Sequence, residues 1–392
     1  MRRVLITGAR GFLGRNLAAH LARREDVQVF PYDLENEEAQ LRDWLARADV
    51  VFHLAGVNRP ESVEEYEAGN AGLTAHLCAI LRQFRRAPKI ILSSSIQAAL
   101  ENPYGVSKRH AEETLKSFAQ ETGAAVAIYR LKNVFGKWCR PHYNSVTATF
   151  CHNIAHELPL SISDPARAVE LIYVDDVMAR FLVELDDASG PENGFAPDTI
   201  PSTRLTLADL AGRIQVYHDL RSTLTVPNFA ERFNRCLYAT YLSYVEPQER
   251  EYGLAIKADA RGNLAEFLKS PHFGQIFVSR THPGITRGNH YHHTKTERFL
   301  VIAGEGLIRM RSIEGHEVRE YRVGGEEYRV VDIPPGHTHS ITNVGAGEMI
   351  TLFWASEVFD PDRPDTYFLE VGGSPPSAVE SRQTTVAGSP QP

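Results

Sequence analysis

Three glycines near the start of the chain have the spacing of a nucleotide-binding loop. Gly8, Gly11 and Gly14 follow the apolar run RVLIT and precede FLGRNLAAHL, whose apolar residues recur at helical spacing. A glycine loop between a strand and a helix lets backbone amides and the helix dipole hold a pyrophosphate. Without that context, three glycines would favour only a tight turn. The sequence therefore predicts a dinucleotide site.

Two charged residues bear on which dinucleotide binds. Asp33 ends the second apolar run, VQVFPY, about 20 residues beyond the loop, where a carboxylate can bind the adenosine ribose of NAD. Arg10, inside the loop, favours the other cofactor, because a guanidinium there can pair with the 2′-phosphate of NADP. We expect NADPH and keep NAD as the alternative.

A phenol and an ammonium group share one helix face downstream. Tyr104 and Lys108 lie one helical turn apart in the helix that NPYG begins. The cation is expected to lower the tyrosine pKa from about 10 towards neutrality, so that Tyr104 can protonate a carbonyl oxygen while hydride reaches the carbon. Ser95, ending KIILSSS, is predicted to hold the same oxygen. Alone, such a pair usually marks a solvated helix face; the glycine loop and the serine strand favour catalysis.

A second cluster could bind a metal. Eight of the sixteen histidines lie within residues 272–339. His290 and His292 are two apart, so on a strand they point to one face, and Glu297 follows where a continuing strand can return a carboxylate to it. His339 offers a third imidazole after a proline-glycine turn. This set suits zinc, iron, manganese, copper or nickel, and residue types alone do not choose among them. We expect a divalent metal, zinc first.

The two clusters require different scaffolds. Residues 3–135 alternate short apolar runs with amphipathic stretches, which predicts an α/β doubly wound parallel sheet. Residues 140–245 form a mixed, substrate-binding region with a helix over 206–220. From 246 onward, short apolar runs separated by Gly, Pro or His turns predict an all-β sandwich or barrel.

We therefore expect domains at 1–245 and 246–372. Residues 373–392 are rich in Ser, Pro and Gly with hardly any large apolar side chain, which predicts a disordered tail.

Composition narrows the function classes. A net charge of −7 leaves no electrostatic footprint for nucleic acid, which favours small-molecule substrates. Four cysteines without CxxC pairing fit a reducing cytoplasm. The opening apolar run is broken by Gly8, Arg10 and Gly11 too early for a signal peptide, and no window approaches about 18 apolar residues, so we expect no membrane span.

The amino-terminal motifs resemble those of the extended short-chain dehydrogenase/reductases over residues 1–245. The matches are TGARGFLG, HLAG at 53–56, SSS at 93–95, YGVSK at 104–108, Asn70, Arg130 with Asn133, and YVDDV at 173–177. The resemblance implies a Rossmann fold, a nucleotide-sugar substrate and catalysis by Ser95, Tyr104 and Lys108. It implies cofactor contacts from Gly8, Arg10, Gly11, Phe12, Leu13, Gly14, Asp33, Leu54, Ala55, Gly56 and Lys108.

The histidine-rich stretch resembles the two motifs of the cupins, which are small β-barrels. The first motif runs from Gly284 to Gly304 and the second from Pro334 to Asn343. The resemblance implies that the metal ligands are His290, His292, Glu297 and His339. The alternative is a cupin barrel whose site is empty or only structural.

The order of the two parts resembles a family of reductase and cupin fusions in capsular polysaccharide synthesis, over residues 1–370. HLAGVNRPE, NVFGKWCRP, GITRGNHYHHTK and FDPDRPDTYF carry this resemblance. It implies that the cupin epimerises carbon 3 of a UDP-2-acetamido-2,6-dideoxy-4-hexulose. The reductase would then use NADPH to give UDP-2-acetamido-2,6-dideoxy-L-talose, en route to UDP-N-acetyl-L-fucosamine. Spacing assigns no base among His290, His292 and Lys295.

Two other interpretations stay open. The first unit could retain NAD and catalyse a redox-neutral epimerisation or dehydration of a nucleotide sugar. The cupin could be a metal-stabilised dimerisation or binding module without catalysis. For all of these interpretations we expect a cytoplasmic homodimer that binds a UDP-sugar.

Overall fold

The computed structural model describes residues 1–373, so the predicted tail lies outside the described residues except for Gly373. The chain forms two compact units. One contains Met1–His218 and Arg232–Pro247, and the other contains Asp219–Glu231 and the described residues from Gln248 onward. The predicted domain ranges, 1–245 and 246–372, stay a prediction.

A five-stranded parallel sheet forms the centre of the first unit, in the order β2-β1-β3-β4-β5. Its strands are β1 (Arg2–Thr7), β2 (Val27–Tyr32), β3 (Val50–His53), β4 (Lys89–Ser95) and β5 (Val126–Leu131). The helices between them are α1 (Phe12–Leu21), α2 (Glu38–Arg47), α3 (Glu64–Tyr66), α4 (Leu73–Gln83) and α5 (Pro103–Thr122), with a π-helical turn at Glu67–Gly72 and a 3-10 turn at Ile96–Ala99.

Both faces of this sheet are buried. Val4 and Ile6 of β1 pack into one hydrophobic cluster, and Leu5 between them packs into the other. The first cluster contains Leu17 of α1, and the second contains Leu115 of α5. Burial on both faces explains why the strands are continuous apolar runs. The predicted doubly wound parallel sheet is confirmed.

The strand order fixes where a ligand can bind. Among residues 1–373, β2 is an edge strand of this sheet, and the strand order reverses between β1 and β3. In open α/β sheets, ligands bind outside the carboxyl ends of the strands at such a switch point. Gly8 and Leu54 follow the two strands at this point.

The remainder of the first unit carries a smaller sheet. Its strands, in the order β6-β7-β8, are β6 (Asn133–Phe135), β7 (Ala168–Tyr173) and β8 (Ser202–Thr206). The helices are α6 (Val146–Ala155), α7 (Val174–Asp186), α8 (Leu207–Thr223), whose residues from Asp219 onward belong to the second unit, and α9 (Arg232–Leu242). A 3-10 turn follows at Pro247–Glu249, with its last two residues in the second unit. The predicted helix over 206–220 is confirmed by α8.

Two antiparallel sheets build the second unit. The first has the order β16-β13-β18-β11-β10-β9 and the second the order β15-β14-β17-β12-β19. Their strands are β9 (Ile256–Asp259), β10 (Gly262–Ser270), β11 (Gly274–Thr281), β12 (Thr286–Tyr291), β13 (Glu297–Ala303), β14 (Glu305–Ser312), β15 (Arg319–Gly324), β16 (Val330–Ile333), β17 (His337–Asn343), β18 (Met349–Ala355) and β19 (Tyr367–Phe368).

The two sheets share one core. Phe277, Phe299 and Phe353 of the first sheet cluster with Ile308 and Ile341 of the second. The predicted antiparallel architecture is confirmed. Within residues 1–373, none of the helices has both the length and the apolar character that a membrane span requires.

Candidate active site and candidate metal centre

The glycine loop brings β1 against the end of β3. Gly8 has φ +68°, and a Cβ there would lie 2.7 Å from the amide nitrogen of Ala55. A Cβ on Gly14 would overlap the carbonyl oxygen of Gly8. Gly11 begins α1 without a side-chain cap, so the amides of Phe12 and Leu13 at its first turn have no side chain to satisfy them. A pyrophosphate fits this uncapped helix end.

Asp33 and Arg10 meet beside the loop. The Asp33 carboxylate accepts a 2.6 Å hydrogen bond from the backbone amide of Arg10 and one of 2.9 Å from the amide of Leu34. The Arg10 guanidinium is exposed and pairs with Glu35. Arg10 thus lies beside Asp33 and has a carboxylate partner, Glu35, that the sequence analysis did not include. The role of either residue in cofactor binding stays a prediction.

A buried histidine supports the loop after β3. The His53 imidazole lies between the hydroxyls of Thr7, at 2.7 Å, and Thr74, at 2.9 Å. The Thr7 hydroxyl also accepts a 3.3 Å hydrogen bond from Ala55 N. Burial, with a smaller contribution from the Lys108 charge, lowers the pKa of His53 to about 3. His53 therefore stays neutral and ties β1 to the predicted cofactor residues 54–56.

Ser95 and Tyr104 come together despite the short connection between them. Residues 96–99 form a 3-10 turn, and the Ser95 hydroxyl accepts a 3.2 Å hydrogen bond from the amide of Gln97. The connection packs so tightly on α5 that a Cβ on Gly105 would overlap the Gln97 carbonyl. Asn102 caps α5 through a 2.7 Å bond from Gly105 N, which places Tyr104 in the first turn.

Lys108 is buried one turn further along α5. Its Nζ donates a 3.3 Å hydrogen bond to the Ser93 carbonyl and lies 5.9 Å from the centroid of the Tyr104 ring. A Cβ on Gly56 would lie 2.8 Å from this Nζ and 2.7 Å from Asn70 Oδ1. Only glycine at position 56 leaves room for both side chains, so the loop after β3 packs closely against α5.

The expected lowering of the tyrosine pKa is wrong for this structure. Burial raises the pKa of Tyr104 to about 12 and outweighs the hydrogen bond with Ser95, which lowers it. Burial also lowers the pKa of Lys108 to about 8, although the charge of Glu112 raises it. The spacing located the pair correctly, but it carried no information about desolvation, which here dominates.

Glu112 is a residue that the sequence analysis missed. It is buried on α5 and accepts hydrogen bonds of 2.5 Å from the Ser94 hydroxyl and 2.6 Å from Arg130 Nη2. It thus braces the end of β4 and supplies the negative charge nearest to Lys108 that acts on its pKa. The signal available in the sequence was the i,i+4 spacing of Lys108 and Glu112 on one helix face.

The four predicted metal ligands converge in the second unit. Candidate ligand atoms of His290, His292, Glu297 and His339 all lie within 4.8 Å of one another. His290 is opposite His339 in the β12 and β17 pair, directly after an irregularity at Gly288. His292 follows β12, and Glu297 begins β13 in the other sheet. The bulge at Gly288 re-aims His290 towards the ligands that come from the other strands.

The electrostatics of this cluster suit a cation. Nδ1 of His292 lies 2.5 Å from the Asp365 carbonyl, and Nδ1 of His339 lies 3.2 Å from the His337 carbonyl. Because a carbonyl only accepts, both Nδ1 atoms carry the proton, and both Nε2 atoms present lone pairs. These Nε2 atoms are buried without a hydrogen-bond partner and lie 3.3 and 3.1 Å from Glu297 Oε2.

Three electron-rich atoms thus face one another in a buried space, and a divalent cation fits between them. Burial, and then the neighbouring His339, lowers the pKa of His290 well below its usual value. His290 is the least buried of the four, so the cluster opens on its side.

Other predicted neighbours of the ligands lie at the edge of the cluster. His293 is exposed, and His337 is partly exposed with Nδ1 3.1 Å from the Pro335 carbonyl. Lys295 is buried, and its Nζ donates to the Pro364 carbonyl and the Thr366 hydroxyl at 3.3 Å each. The geometry of the cluster assigns none of these groups to proton abstraction.

Two family matches cover most of the chain. The NAD dependent epimerase/dehydratase family matches residues 4–194, and the polysaccharide biosynthesis C-terminal domain matches residues 257–367. The chain is 43% identical over 370 residues to a UDP-2-acetamido-2,6-beta-L-arabino-hexul-4-ose reductase of Pseudomonas aeruginosa, which covers 94% of this chain and 99% of that protein.

Solved structures agree with these matches. The capsular polysaccharide assembling protein CapF of Staphylococcus aureus superimposes with a TM-score of 0.86 at 43% identity, covering 94% of this chain and 99% of CapF. UDP-glucuronic acid 4-epimerase of Bacillus cereus, solved with NAD, covers 62% of this chain and 98% of its own at a TM-score of 0.51 and 17% identity, which shows a shared fold. The chain therefore belongs to the family that contains this hexulose reductase and CapF.

Proposed function

We propose that the first unit reduces the 4-keto group of a UDP-2-acetamido-2,6-dideoxy-hexulose with NADPH. The observation that carries this proposal is the placement of Ser95, Tyr104 and Lys108. The serine ends β4, and the helix that carries the other two packs against the loop after β3. The substrate comes from the Pseudomonas aeruginosa relative, whose name describes reduction of such a hexulose.

The side chains divide the reaction between them. Bound NADPH would supply hydride to the carbonyl carbon. Tyr104 donates its proton to the carbonyl oxygen, and Ser95 holds that oxygen by a hydrogen bond. A tyrosine pKa raised to about 12 keeps the phenol protonated at neutral pH, which is the form that a proton donor requires. Solvent then returns the proton to the tyrosinate.

The residues at the cofactor site fit a dinucleotide. The uncapped end of α1 offers the amides of Phe12 and Leu13 to a pyrophosphate, and Gly8 lets that loop touch the segment after β3. Burial lowers the pKa of Lys108 to about 8. Hydroxyl groups of a bound ribose would accept hydrogen bonds from the ammonium and raise this pKa again. NADPH itself is supported by Arg10, which lies beside Asp33.

We propose further that the second unit is a cupin barrel that epimerises carbon 3 of the same sugar before reduction. The 4-keto group acidifies the neighbouring carbon–hydrogen bond, so one base can remove that proton and another donor can return it to the opposite face. His290, His292, Glu297 and His339 would hold a divalent metal, zinc first. Such an ion, when bound, polarises a keto oxygen or braces the barrel.

The reductase proposal and the epimerase proposal can be tested together. The protein is incubated with a UDP-4-keto-6-deoxy-N-acetylhexosamine and NADPH in deuterated water, and NMR then identifies the product stereochemistry and the labelled carbon. We expect net oxidation of NADPH, an L-talo product, and deuterium at carbon 3. Absence of turnover would refute the substrate assignment. Reduction without deuterium at carbon 3, with metal bound, would refute epimerisation in the second unit.

One observation favours the redox-neutral alternative. Arg10 is already paired with Glu35, and Asp33 lies beside it, so the ribose end of the site carries two carboxylates. Negative charge there favours the ribose hydroxyls of NAD over a 2′-phosphate. Retained NAD, with no net oxidation of added NADPH, would support an epimerase or dehydratase instead.

A further inference from the structure

Residues 364–371 return to the barrel and cross the metal cluster; we name this segment the C-terminal strap. We propose that the strap is a positioning element of the metal site, with Asp365 as its main positioning residue and Arg311 as its anchor. This inference rests on the proposed metal site. It adds Asp365, which lies 26 positions beyond the last ligand, His339, and Arg311, which lies 28 positions before that ligand.

Asp365 makes the most direct contacts with the ligand segment. Its backbone carbonyl lies 2.5 Å from His292 Nδ1, which fixes the tautomer that turns Nε2 towards the cluster. Its carboxylate accepts hydrogen bonds of 2.9 Å from the amides of His293, Thr294 and Lys295. One residue therefore holds both the ring of His292 and the turn that leads to Glu297.

The turn from 293 to 295 explains why a carboxylate suits this position. Three successive amides point at one place, and they form a concave anion site that a single carboxylate fills. Asp365 has φ +39°, a conformation that few residues other than glycine, asparagine and aspartate adopt readily. Aspartate therefore suits position 365 because it tolerates a positive φ and because its carboxylate accepts the three amide hydrogen bonds.

The rest of the strap contacts the strands that carry the other imidazoles. Phe368 pairs with His290 in the β12 and β19 ladder. The Leu369 amide donates a 2.9 Å hydrogen bond to the carbonyl of Asn289, and the Leu369 carbonyl accepts one from the Thr338 hydroxyl. Asn289 precedes His290 and Thr338 precedes His339. The strap therefore contacts the residue immediately before each of these two histidines.

A buried arginine anchors the end of the strap. Arg311 on β14 is 2% exposed, and its Nε donates to the Val371 carbonyl at 2.9 Å while Nη2 donates to the Glu370 carbonyl at 3.2 Å. Its Nη1 donates to the carbonyls of Ser312 and Gly315. These four hydrogen-bond partners are all backbone carbonyl oxygens. Such a buried cation holds a returning chain segment by backbone contacts rather than by a salt bridge.

These contacts matter because a metal site depends on the orientation of its ligands as well as on their identity. Groups that orient ligating imidazoles change metal affinity by about 10- to 100-fold when they are removed. Loss of the Asp365 carboxylate would release the 293–295 turn, and His292 would lose its fixed orientation. The three remaining ligands lie within the ladders of β12, β13 and β17, whose backbone hydrogen bonds would keep them in place.

The experiment measures zinc affinity in the full-length protein. Wild type, Asp365→Ala, Asp365→Asn and Asp362→Ala are stripped with a chelator, and Zn²⁺ is titrated in competition with a fluorescent chelator. Circular dichroism confirms folding before each titration. Asp362→Ala is the matched control, because it removes an exposed carboxylate from the same region. Asp365→Asn keeps the backbone carbonyl and tolerates positive φ, so it is expected to fold even if the alanine variant does not.

We expect Asp365→Ala to weaken zinc binding by about 10- to 100-fold, Asp365→Asn to weaken it less, and the control to match wild type. The zinc-induced rise in Tm should shrink in the same order, since ligand stabilisation follows affinity. A purely structural role would lower Tm equally with and without zinc. The visible spectrum of the Co²⁺ form should also change in both Asp365 variants.

Three results would overturn the inference, and each has a different meaning. If wild type binds Zn²⁺ tightly and both Asp365 variants bind it equally well, the strap does not position the ligands, while the metal site stands. If wild type binds no Zn²⁺ in competition, both the proposed metal site and the role of the strap are wrong. Equal weakening in Asp362→Ala would also refute a specific role for Asp365.

Discussion

The two candidate sites differ in how far apart in the sequence their functional side chains lie. In the first unit, Tyr104, Lys108 and Glu112 come from successive turns of one helix, and Ser95 lies just before it. In the second unit, the metal cluster draws its ligands from three separate strand regions in two sheets. A single helix keeps its spacing through 3.6 residues per turn, whereas ligands on separate strands depend on the register of every strand between them.

This difference affects what surrounds the reacting groups. Burial dominates the reductase site, where it raises the pKa of Tyr104 and lowers that of Lys108. Mutual contact dominates the metal cluster, where the Nε2 atoms of His292 and His339 lie 3.3 and 3.1 Å from Glu297 Oε2 in a buried space. One site is therefore a set of shielded proton carriers and the other a shielded ligand set. Substitutions should separate the two.

Tyr104→Phe should produce the largest separation. Loss of the phenolic proton removes the general acid, so we expect reduction to fall by about 10²- to 10⁴-fold. Deuterium exchange at carbon 3 should continue, since the second unit keeps its groups. NADPH oxidation and NMR of the sugar, measured on one sample, give both rates.

Tyr328→Phe is the matched control, because Tyr328 is 76% exposed in the second unit. Both rates should stay at the wild-type level in this variant. If Tyr104→Phe stops exchange as well as reduction, the two reactions do not belong to independent sites, and the comparison fails.

Glu297→Gln should break the metal site with little effect on the reductase. Glutamine has the same shape as glutamate but lacks its negative charge. That charge lies 3.3 and 3.1 Å from the buried Nε2 atoms of His292 and His339. We expect zinc affinity to fall by more than the roughly 100-fold that loss of an orienting group costs. Reduction of a substrate that already has the product configuration at carbon 3 should be unchanged.

The control for this variant is Glu326→Gln, which replaces an exposed carboxylate in the same unit. Added Zn²⁺ should raise the Tm of wild type and of the control but not that of Glu297→Gln. Zinc binding of wild-type strength in Glu297→Gln would remove this glutamate from the ligand set.

Motifs on one element were the most predictable part of the molecule. The strand, glycine loop and helix around Gly8, and the helical pair of Tyr104 and Lys108, follow from local periodicity. The convergence of the four candidate metal ligands also followed from their spacing. The groups that orient them did not, because Asp365 meets His292 only after the chain has passed through six further strands. No local pattern records such a contact.

Electrostatic environment was equally hidden. A lysine one turn from a tyrosine suggests a lowered phenol pKa, yet the outcome depends on how deeply both groups are buried. The pairing of Arg10 with Glu35 was missed for a related reason, since both lie in loops whose conformation the sequence leaves undetermined. Residue types therefore predicted which groups come together, and packing determined the direction of their pKa shifts.

The pH profile of reduction should report the burial of Lys108. Its pKa is lowered to about 8, and the protonated ammonium is the form that supports the phenol and the cofactor. Activity is therefore present below pH 8 and lost as the pH rises through that value, with kcat/KM falling about tenfold per pH unit above it. Tyr104, with its pKa raised to about 12, does not titrate in this range.

Lys108→Met should greatly lower the rate of reduction, and the remaining activity should show no decline through pH 8. Lys116→Met, on the same helix, should keep the decline. The second variant matches the first in chemistry and in element, and Lys116 lies over the Phe195 ring instead. An alkaline limb near pH 10 in wild type would show that the Lys108 environment does not disfavour its charge.

The smallest expected effect is at Arg10, and it sharpens the cofactor assignment. An exposed ion pair is worth at most about 1 kcal/mol, so Arg10→Ala should reduce the ratio of kcat/KM for NADPH to that for NADH by about 2- to 5-fold. Glu35→Gln should raise the same ratio, because it frees the guanidinium for the 2′-phosphate. Glu25→Gln, an exposed carboxylate on the same unit, is the control. Both effects should shrink at high salt, since exposed charges are screened. If neither variant changes the ratio and wild type prefers NADH, Asp33 sets the preference, and the cofactor is NAD.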